Sequence, residues 1–494
     1  MSKKPNRFLI SISYPPLFKK SQKPFLSQNR QFQWTYTGNV IYPVIPAYAA
    51  SLLSKNNYKV FWDDAITQNL DYQTWLKRIT KAAPDLIAIE TKTPVIKRHW
   101  YIIKQLKESS LKIKNWKLKI CLMGDHVTAL PKESLQNCPV DYLITGGDFD
   151  FMLLNLANHL TKGERLEPGF WYRQKGKIVN SGPFALKHHN LDSLPIIDRQ
   201  LTNWQLYAYN NSNYKYTPGS YIMSGRDCWW GKCTFCSWTT LFPGTQFRSF
   251  SPQFAIKEIA NLVNNYGVRE IFDDSGTLPI GDWLANFASL MDKTGLNKKV
   301  RLGANMRFAG PTESDFKNMQ KANIQFLLYG LESANQDTLD KINKNLKVNQ
   351  IETSLKLAKK YHIDNHLTAM IGYPWETKTD AQKTIELAKY FFKQGLADSI
   401  QATIIMPYPG TPLFSQAQKN NWLTTTNWNK YDMSQSILKS PLNSTTQKEL
   451  VKSIYKGIIT PRFILNKITS IKSIDDIKFL SKYTFKYFKK LKDF

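Results

Sequence analysis

Cysteine, histidine and acidic residues are all scarce in this chain. Five cysteines and seven histidines are spread over 494 residues, and 38 Asp and Glu stand against 67 Lys and Arg. A small, odd number of cysteines argues against a disulfide framework and fits a reducing, cytoplasmic setting. No apolar run reaches the roughly 18 residues that a membrane-spanning helix needs. The opening Met-Ser-Lys-Lys-Pro leads straight into a strand-like Arg7–Ser13, without the pattern of a secretory leader. An RNP1 octamer and a GxxG clamp are also missing, so no nucleic-acid partner is expected. The net charge of +29 favours polyanions or anionic lipid surfaces, and a compositional drift toward Lys, Asn and Ile accounts for it equally well. A chain of this length forms two or three domains with ample cores and needs no cysteine staples.

Three of the five cysteines fall inside nine positions, Cys228-Trp-Trp-Gly-Lys-Cys233-Thr-Phe-Cys236. Three close thiolates are too many for one disulfide and one short of a closed four-ligand zinc site. They suit an iron–sulfur cluster whose fourth corner is open. Zinc with an outside fourth ligand is the alternative, although no second C-x2-C or H-x3-H follows downstream.

Along residues 1–160 strand-like runs (8–13, 59–62, 85–90, 118–123 and 142–145) alternate with helical ones (46–55, 72–82, 97–107, 132–136 and 151–160). Such alternation predicts a doubly wound parallel sheet with helices on both faces, where ligands sit beyond the carboxyl ends of the strands. The residues there include Tyr14, Thr91, Thr93, Gly124, Asp125, His126, Gly146 and Gly147. Residues 161–220 read as a linker with a small β element, a hairpin at 169–180, followed by a Tyr- and Asn-rich passage, 204–216, that suits a surface loop or a wall beside a substrate. A second series begins at 221, with strands at 221–224, 270–273, 301–304, 325–329, 366–371 and 399–405. These six units, within 221–420, predict a partial (β/α)6 barrel, and the cysteines follow its first strand, where barrel chemistry sits. Residues 421–494 form a helical C-terminal region. From 441 onward twelve Lys and Arg face four acids, with Phe479, Leu480, Tyr483, Phe485, Tyr487 and Phe488 interleaved. That tail is a candidate for peripheral contact with an anionic membrane, and a solvated cap across the barrel is the reading preferred.

The cysteine motif, with an aromatic residue before the last cysteine, resembles the signature of radical S-adenosylmethionine (SAM) enzymes. The family's first gap is usually three residues; here it is four. The resemblance implies a [4Fe–4S] cluster on Cys228, Cys233 and Cys236, with SAM chelated at the open corner. It also implies SAM contacts at later strand ends: Asp273, Asp274 and Ser275 for the ammonium, Glu332 and Ser333 for the ribose side, and Gly372 and Glu376 near adenine. Pro407–Leu413 is similar to the family's Pro-x-Pro-Gly-Thr loop. Each has a plainer reading: a cap for the helix near Trp283 at Asp273–Ser275, a capping Ser333, a turn at the Pro/Gly runs. Phe235 packs on the cluster or adenine, or is a core aromatic.

The segments 42–53, 58–65, 84–93, 124–129 and 140–150 are similar to the cobalamin-binding domain that precedes many radical SAM cores. The Asp-x-His-x-x-Gly motif that supplies a histidine to cobalt elsewhere is missing, so His126 is not read as a cobalt ligand. The combined resemblance implies reductive cleavage of SAM to a 5′-deoxyadenosyl radical, C–H activation and methyl transfer from methylcobalamin. It implies a small-molecule or lipid-like substrate and a reductase, flavodoxin or ferredoxin as electron donor. Cyclases and ring-contracting enzymes share these cofactors. A tRNA methylthiotransferase would carry three more N-terminal cysteines where this chain has only Cys121 and Cys138, read as buried thiols. A non-enzymatic metal-binding module would leave the later strand ends unexplained.

Overall fold

The computed structural model describes residues 8–490 apart from 20, 27–31, 38, 186–188, 210, 212–213, 243–246, 460, 470 and 472. Its first sheet contains five parallel strands: β1 (Leu9–Tyr14), β2 (Lys59–Asp64), β3 (Leu86–Glu90), β4 (Lys119–Met123) and β5 (Tyr142–Ile144). The hairpin β6 (Phe170–Gln174) and β7 (Lys177–Asn180) adds antiparallel to β5. The order is β2-β1-β3-β4-β5-β6-β7. All of β3, Leu-Ile-Ala-Ile-Glu, is buried, as expected of a parallel strand covered on both faces. The chain winds one way from β1 to β2 and the other way from β3 onward. The carboxyl ends of β1 and β3 therefore flank a topological switch point, where open α/β sheets bind ligands.

The second sheet is parallel and strictly sequential: β8 (Gly219–Ile222), β9 (Glu270–Asp273), β10 (Arg301–Met306), β11 (Ile324–Glu332), β12 (Asp364–Ile371) and β13 (Ser399–Ile404). Helices such as Pro252–Tyr266 and Lys378–Lys393 cover it, each with a side-chain cap: Ser251 accepts from Phe254 N, and Thr377 with Asp380 forms a capping box. Six successive units curl into the expected half-barrel, so both halves of the fold class hold.

The Tyr- and Asn-rich passage departs from a surface loop. Trp204, Tyr207 and Tyr214 are buried, and for Tyr207 the polar end has partners: its hydroxyl donates to Asp64 Oδ2 at 2.5 Å and accepts from Trp62 Nε1 at 3.2 Å. Its aromatic body then joins the core without cost to the hydroxyl.

Three helices make the tail, Ser444–Ile458, Pro461–Thr469 and Ile474–Lys490. The first packs on β13, its Tyr455 hydroxyl accepting from Ala402 N at 2.8 Å. The other two lie across the amino ends of the barrel strands, tied by Asp475–Arg269 (2.7 Å), Asp476–Lys215 (2.5 Å) and Lys467–Asp398 (3.3 Å). Phe479 and Leu480 turn inward there, beside Phe392 and Phe463. The side chains of Tyr483, Phe485, Tyr487 and Phe488 lie outside the described residues. No helix among the described residues is long and apolar enough to cross a membrane.

Candidate active site

The cysteine loop leaves β8 through Ser224-Gly-Arg-Asp227. Cys233 is buried, and Cys228 and Cys236 are partly so. Burial pushes the Cys233 and Cys236 thiols up, and repulsion from the neighbouring thiolates adds to it. Three thiols that feel one another on one short loop are the donor set a [4Fe–4S] cluster needs.

The loop is fastened from one side by the segment after the helix Gln336–Lys341. Thr234 N donates to Ile342 O at 3.0 Å and Trp230 Nε1 to Asn343 O at 2.7 Å. Arg307, buried just beyond β10, donates through Nη2 to Lys344 O at 2.7 Å. Its guanidinium lies 5.2 Å from the ring of Trp229 and 5.1 Å from that of Trp230. A Cβ on Gly310 would lie 2.4 Å from the Trp229 ring, so that glycine makes the room the indole occupies. Lys344 is also buried. It pairs with Glu332 Oε1 at 2.7 Å and stands 5.9 Å over the ring of Phe235. Both cations pull the Cys233 thiol down against the effect of burial. Neither Arg307 nor Lys344 was among the residues expected from the sequence.

The other expected SAM contacts line the carboxyl ends of the adjacent strands. Asp273 Oδ1 accepts from Ser224 N (3.1 Å), Ser275 N (3.0 Å) and Ser275 Oγ (2.5 Å), while its buried Oδ2 has no partner among the described residues. Asp274 N donates to Ile222 O at 2.9 Å. A Cβ on the next residue, Gly276, would lie 2.7 Å from Asp227 O, so this strand end abuts the start of the cysteine loop. The helix near Trp283 is Asp282–Lys293 and begins at Gly281; Asp273–Ser275 do not cap it. Glu332 has φ +58° beside an irregularity in the ladder at Gly330. A Cβ on Gly330 would meet Glu332 Oε1 at 2.2 Å and Lys344 Nζ at 2.5 Å, so a larger residue there would push that ion pair from its present place. Ser333 Oγ accepts from Asn335 N at 3.1 Å, and Asn335, not Ser333, caps the following helix. Glu376 Oε2 accepts from Gly372 N at 2.6 Å. Its Oε1 is buried without a partner among the described residues, and burial pushes the carboxyl up to about 7. Phe235 is buried in the core. Unpartnered buried oxygens at Asp273 and Glu376 mark places where a ligand donor would be accommodated, which the ammonium and adenine of SAM would supply.

On the first sheet, Tyr14 at the end of β1 donates to Glu90 Oε2 at 2.7 Å across the switch point. Thr91 Oγ1 is 2.7 Å from His99 Nδ1, an imidazole that burial pushes down to about 3. Lys92 and Asp125 form a buried pair at 3.3 Å. His126 is buried with both ring nitrogens engaged, Nδ1 with Thr93 Oγ1 (3.2 Å) and Nε2 with Glu133 Oε2 (3.1 Å). Gly124 has φ +131°, and a Cβ there would lie 2.2 Å from Thr91 O. Gly146 and Gly147 follow β5, with Phe184 and Phe242 occupying the space beside them.

These two rows of strand ends face each other. Arg226, two residues before Cys228, is fully buried and paired with Asp150 and with Asp148 Oδ1 (2.8 Å) of the first sheet. Arg248 joins Asp148 at 2.8 Å, and His189 bridges Asp148 Oδ2 (2.7 Å) and Glu167 Oε2 (3.2 Å), which pushes its imidazole up to about 9. An open pocket of about 600 Å³ lies against the first layer, walled by Thr128, Glu133, Gly146, Trp171 and Phe184, with Thr240 of the segment after the cysteine loop at its edge. Its size is that of a ligand pocket, large enough for part of a corrinoid.

Comparison with known proteins places this geometry. The model of the Radical SAM superfamily matches residues 222–388, from the end of β8 into the helix after β12. An uncharacterized methyltransferase of Pyrococcus horikoshii is 29% identical over 435 residues, covering 87% of this chain and 90% of that one. The anaerobic magnesium-protoporphyrin IX monomethyl ester cyclase of Rubrivivax gelatinosus is 23% identical over 86% of this chain and 74% of its own. Among solved structures, the radical SAM methyltransferase TsrM of Kitasatospora setae, with cobalamin and a [4Fe–4S] cluster bound, superposes with a TM-score of 0.66 at 13% identity, covering 92% of this chain and 90% of that one. At that identity the likeness shows the shared fold, sheet domain and barrel together.

Proposed function

With a radical SAM domain over residues 222–388 as the premise, we propose that the chain is a cobalamin-dependent radical SAM enzyme that transfers a methyl group to an unactivated centre of a small molecule. The observation that carries this is the buried Arg226–Asp148–Asp150 cluster, which fastens the start of the cysteine loop to the carboxyl end of the first sheet. Held by Cys228, Cys233 and Cys236, an iron–sulfur cluster would supply the electron for reductive cleavage of SAM, and cobalamin on the first sheet would supply a carrier for the methyl group.

The chain's own residues bind, orient and insulate. Cys228, Cys233 and Cys236 hold the cluster. Asp273, Asp274 and Ser275 take the ammonium, Glu332 and Ser333 the ribose side, and Gly372 with Glu376 the adenine, with Phe235 against it. Tyr14, Thr91, Thr93, Gly124, Asp125, His126, Gly146 and Gly147 form the cobalamin face. His126, spent on Thr93 and Glu133, does so by shape rather than as a cobalt ligand. The domain limits expected from the sequence, 1–160, 161–220, 221–420 and 421–494, belong to this reading, with the hairpin β6–β7 extending the first layer. The layers exclude water from whatever lies between them, which a radical step requires. An external one-electron donor of the flavodoxin, ferredoxin or reductase kind and a cytoplasmic, reducing location complete the proposal. Similarity to the Rubrivivax cyclase favours cyclisation as the second reading, because the same cofactors serve both.

The test is anaerobic reconstitution with cobalamin, followed by iron, sulfide and cobalt analysis and an assay for 5′-deoxyadenosine and methylated cobalamin. All five signals are expected, with the cluster and 5′-deoxyadenosine lost in Cys233→Ala. A cluster without bound cobalamin would overturn the methyl-transfer reading and keep the radical SAM one. Zinc in place of iron would overturn both.

A further inference from the structure

Six large aliphatic side chains stand in solvent on the outer tail: Ile464 (48% exposed), Leu465 (60%), Ile468 (58%), Ile471 (37%), Ile474 (71%) and Ile477 (55%). Exposed large hydrophobics elsewhere, such as Phe18, Leu111 and Tyr390, are scattered singly, which is ordinary for a protein surface. Here six fall within fourteen consecutive positions. Ile464, Leu465 and Ile468 share one face of the helix Pro461–Thr469, and Ile474 and Ile477 one face of the helix Ile474–Lys490. The opposite face of the first helix is already used. Phe463 lies 5.4 Å from the ring of Phe392, and Lys467 reaches Asp398. Packing against the barrel therefore does not explain the isoleucines.

Charge identifies the occupant. Residues 441–494 hold twelve Lys and Arg against four acids. Two of those acids, Asp475 and Asp476, are turned toward the barrel and neutralised by Arg269 and Lys215. What remains outward among the described side chains is apolar surface beside the exposed Lys478, in a segment whose sequence is strongly basic, the composition of a helix lying in an anionic lipid interface. A second copy of the chain would bring another +29 charge to the same place, which repulsion opposes. An acidic redox protein would match the lysines and leave the aliphatic side chains without partners. It would also sit at the amino ends of the strands, away from the cysteine loop at their carboxyl ends.

We propose that the Ile464–Ile477 face docks the enzyme peripherally on an anionic phospholipid surface. The strand ends carrying the cysteines are then turned away from the bilayer, so substrate enters from the aqueous side. This inference stands whether or not the chain transfers methyl groups.

The experiment uses the full chain with vesicles of phosphatidylglycerol mixed with phosphatidylcholine, against phosphatidylcholine alone, read by co-sedimentation and with oligomeric state followed by light scattering. The variant replaces Ile464, Leu465 and Ile468 by Ser, exposed positions whose substitution leaves the thermal midpoint near that of the parent. Binding is expected to the anionic vesicles and to weaken with salt. The triple variant is expected to bind at least about tenfold more weakly, since each side chain loses apolar surface otherwise buried in lipid. A second variant, Lys478→Glu, is expected to reduce binding to anionic vesicles and leave the melting curve unchanged. No binding by the parent chain, equal binding by the triple variant, or a dimer that the triple variant dissolves without any vesicle binding would each overturn the proposal.

Discussion

Replacing Arg307 by Met tests whether the cysteine loop is held by the clamp around its two tryptophans. Methionine keeps an unbranched apolar stem and removes the planar fork. The structure lets the loss be added up. Two cation–π contacts, at 5.2 and 5.1 Å, are each worth about 0.5–2 kcal/mol. A hydrogen bond from a charged donor to Lys344 O at 2.7 Å is worth about 1.5–3 kcal/mol. Arg307 is 6% exposed, so solvent screens little of this. Allowing for the contacts methionine makes instead, about 3 kcal/mol falls on the loop, which is roughly a hundredfold in the population of its ordered form. The assay is the rate at which a chelator strips iron from the reconstituted protein, expected to rise by about that factor. The reduction potential of the cluster is expected to move to more negative values, because a buried cation that favours the reduced, more negative state is gone. Arg307→Lys separates the two effects: it keeps the charge and hence the potential, and it loses the fork that spans both indoles. Gly310→Ala, which places a Cβ 2.4 Å from the Trp229 ring at φ +124°, should loosen the cluster without touching the charge. If Arg307→Met holds iron and potential at the parent's values, the clamp is decoration on a loop ordered by other means.

Two further outcomes follow from the junction of the layers. Arg226→Met leaves Asp150 buried without its cation, while Asp148 keeps Arg248 and His189, and should cost about 3–5 kcal/mol in denaturant unfolding, with the cobalamin complement falling alongside; unchanged unfolding would show that water reaches Asp150. His189 is raised from 6.5 to about 9 by Asp148 and Glu167. A group raised on folding gives its full stabilisation below its unfolded value. Stability should therefore decline between about pH 6.5 and pH 9 by roughly 2–3 kcal/mol, and His189→Gln should flatten that slope.

The fold was legible because it is written in local terms. Alternation of strand and helix patterns marks both sheets, and all six barrel strands lie within a few residues of their expected places. The cysteine motif is legible for the same reason, being nine residues long. What surrounds it is not. Arg307 and Lys344 sit some seventy to over a hundred positions beyond the loop they secure, each a single basic residue with nothing local to distinguish it from the other lysines and arginines. Arg226 finds Asp148 and Asp150 from nearly eighty residues away, and only the folded topology brings the end of β5 beside the exit of β8.

The longer first gap shows how the two kinds of information combine. Four residues between Cys228 and Cys233, rather than the usual three, read as one residue of slack. In the structure that slack is taken up: Gly231 adopts φ +58°, Trp230 Nε1 bonds Asn343 O, and both indoles close on Arg307. A loop with an extra residue has more conformations to lose on ordering, so it needs more contacts to hold three thiols toward one point. The paired tryptophans, which look incidental in the sequence, are the residues best suited to provide them, because each offers a large ring face to the cation and an N–H to a carbonyl. By this argument, restoring the shorter gap by deleting Lys232 should not tighten the site: it would pull Trp230 off Asn343 while Trp229 remains on Arg307, and cluster retention should fall rather than rise.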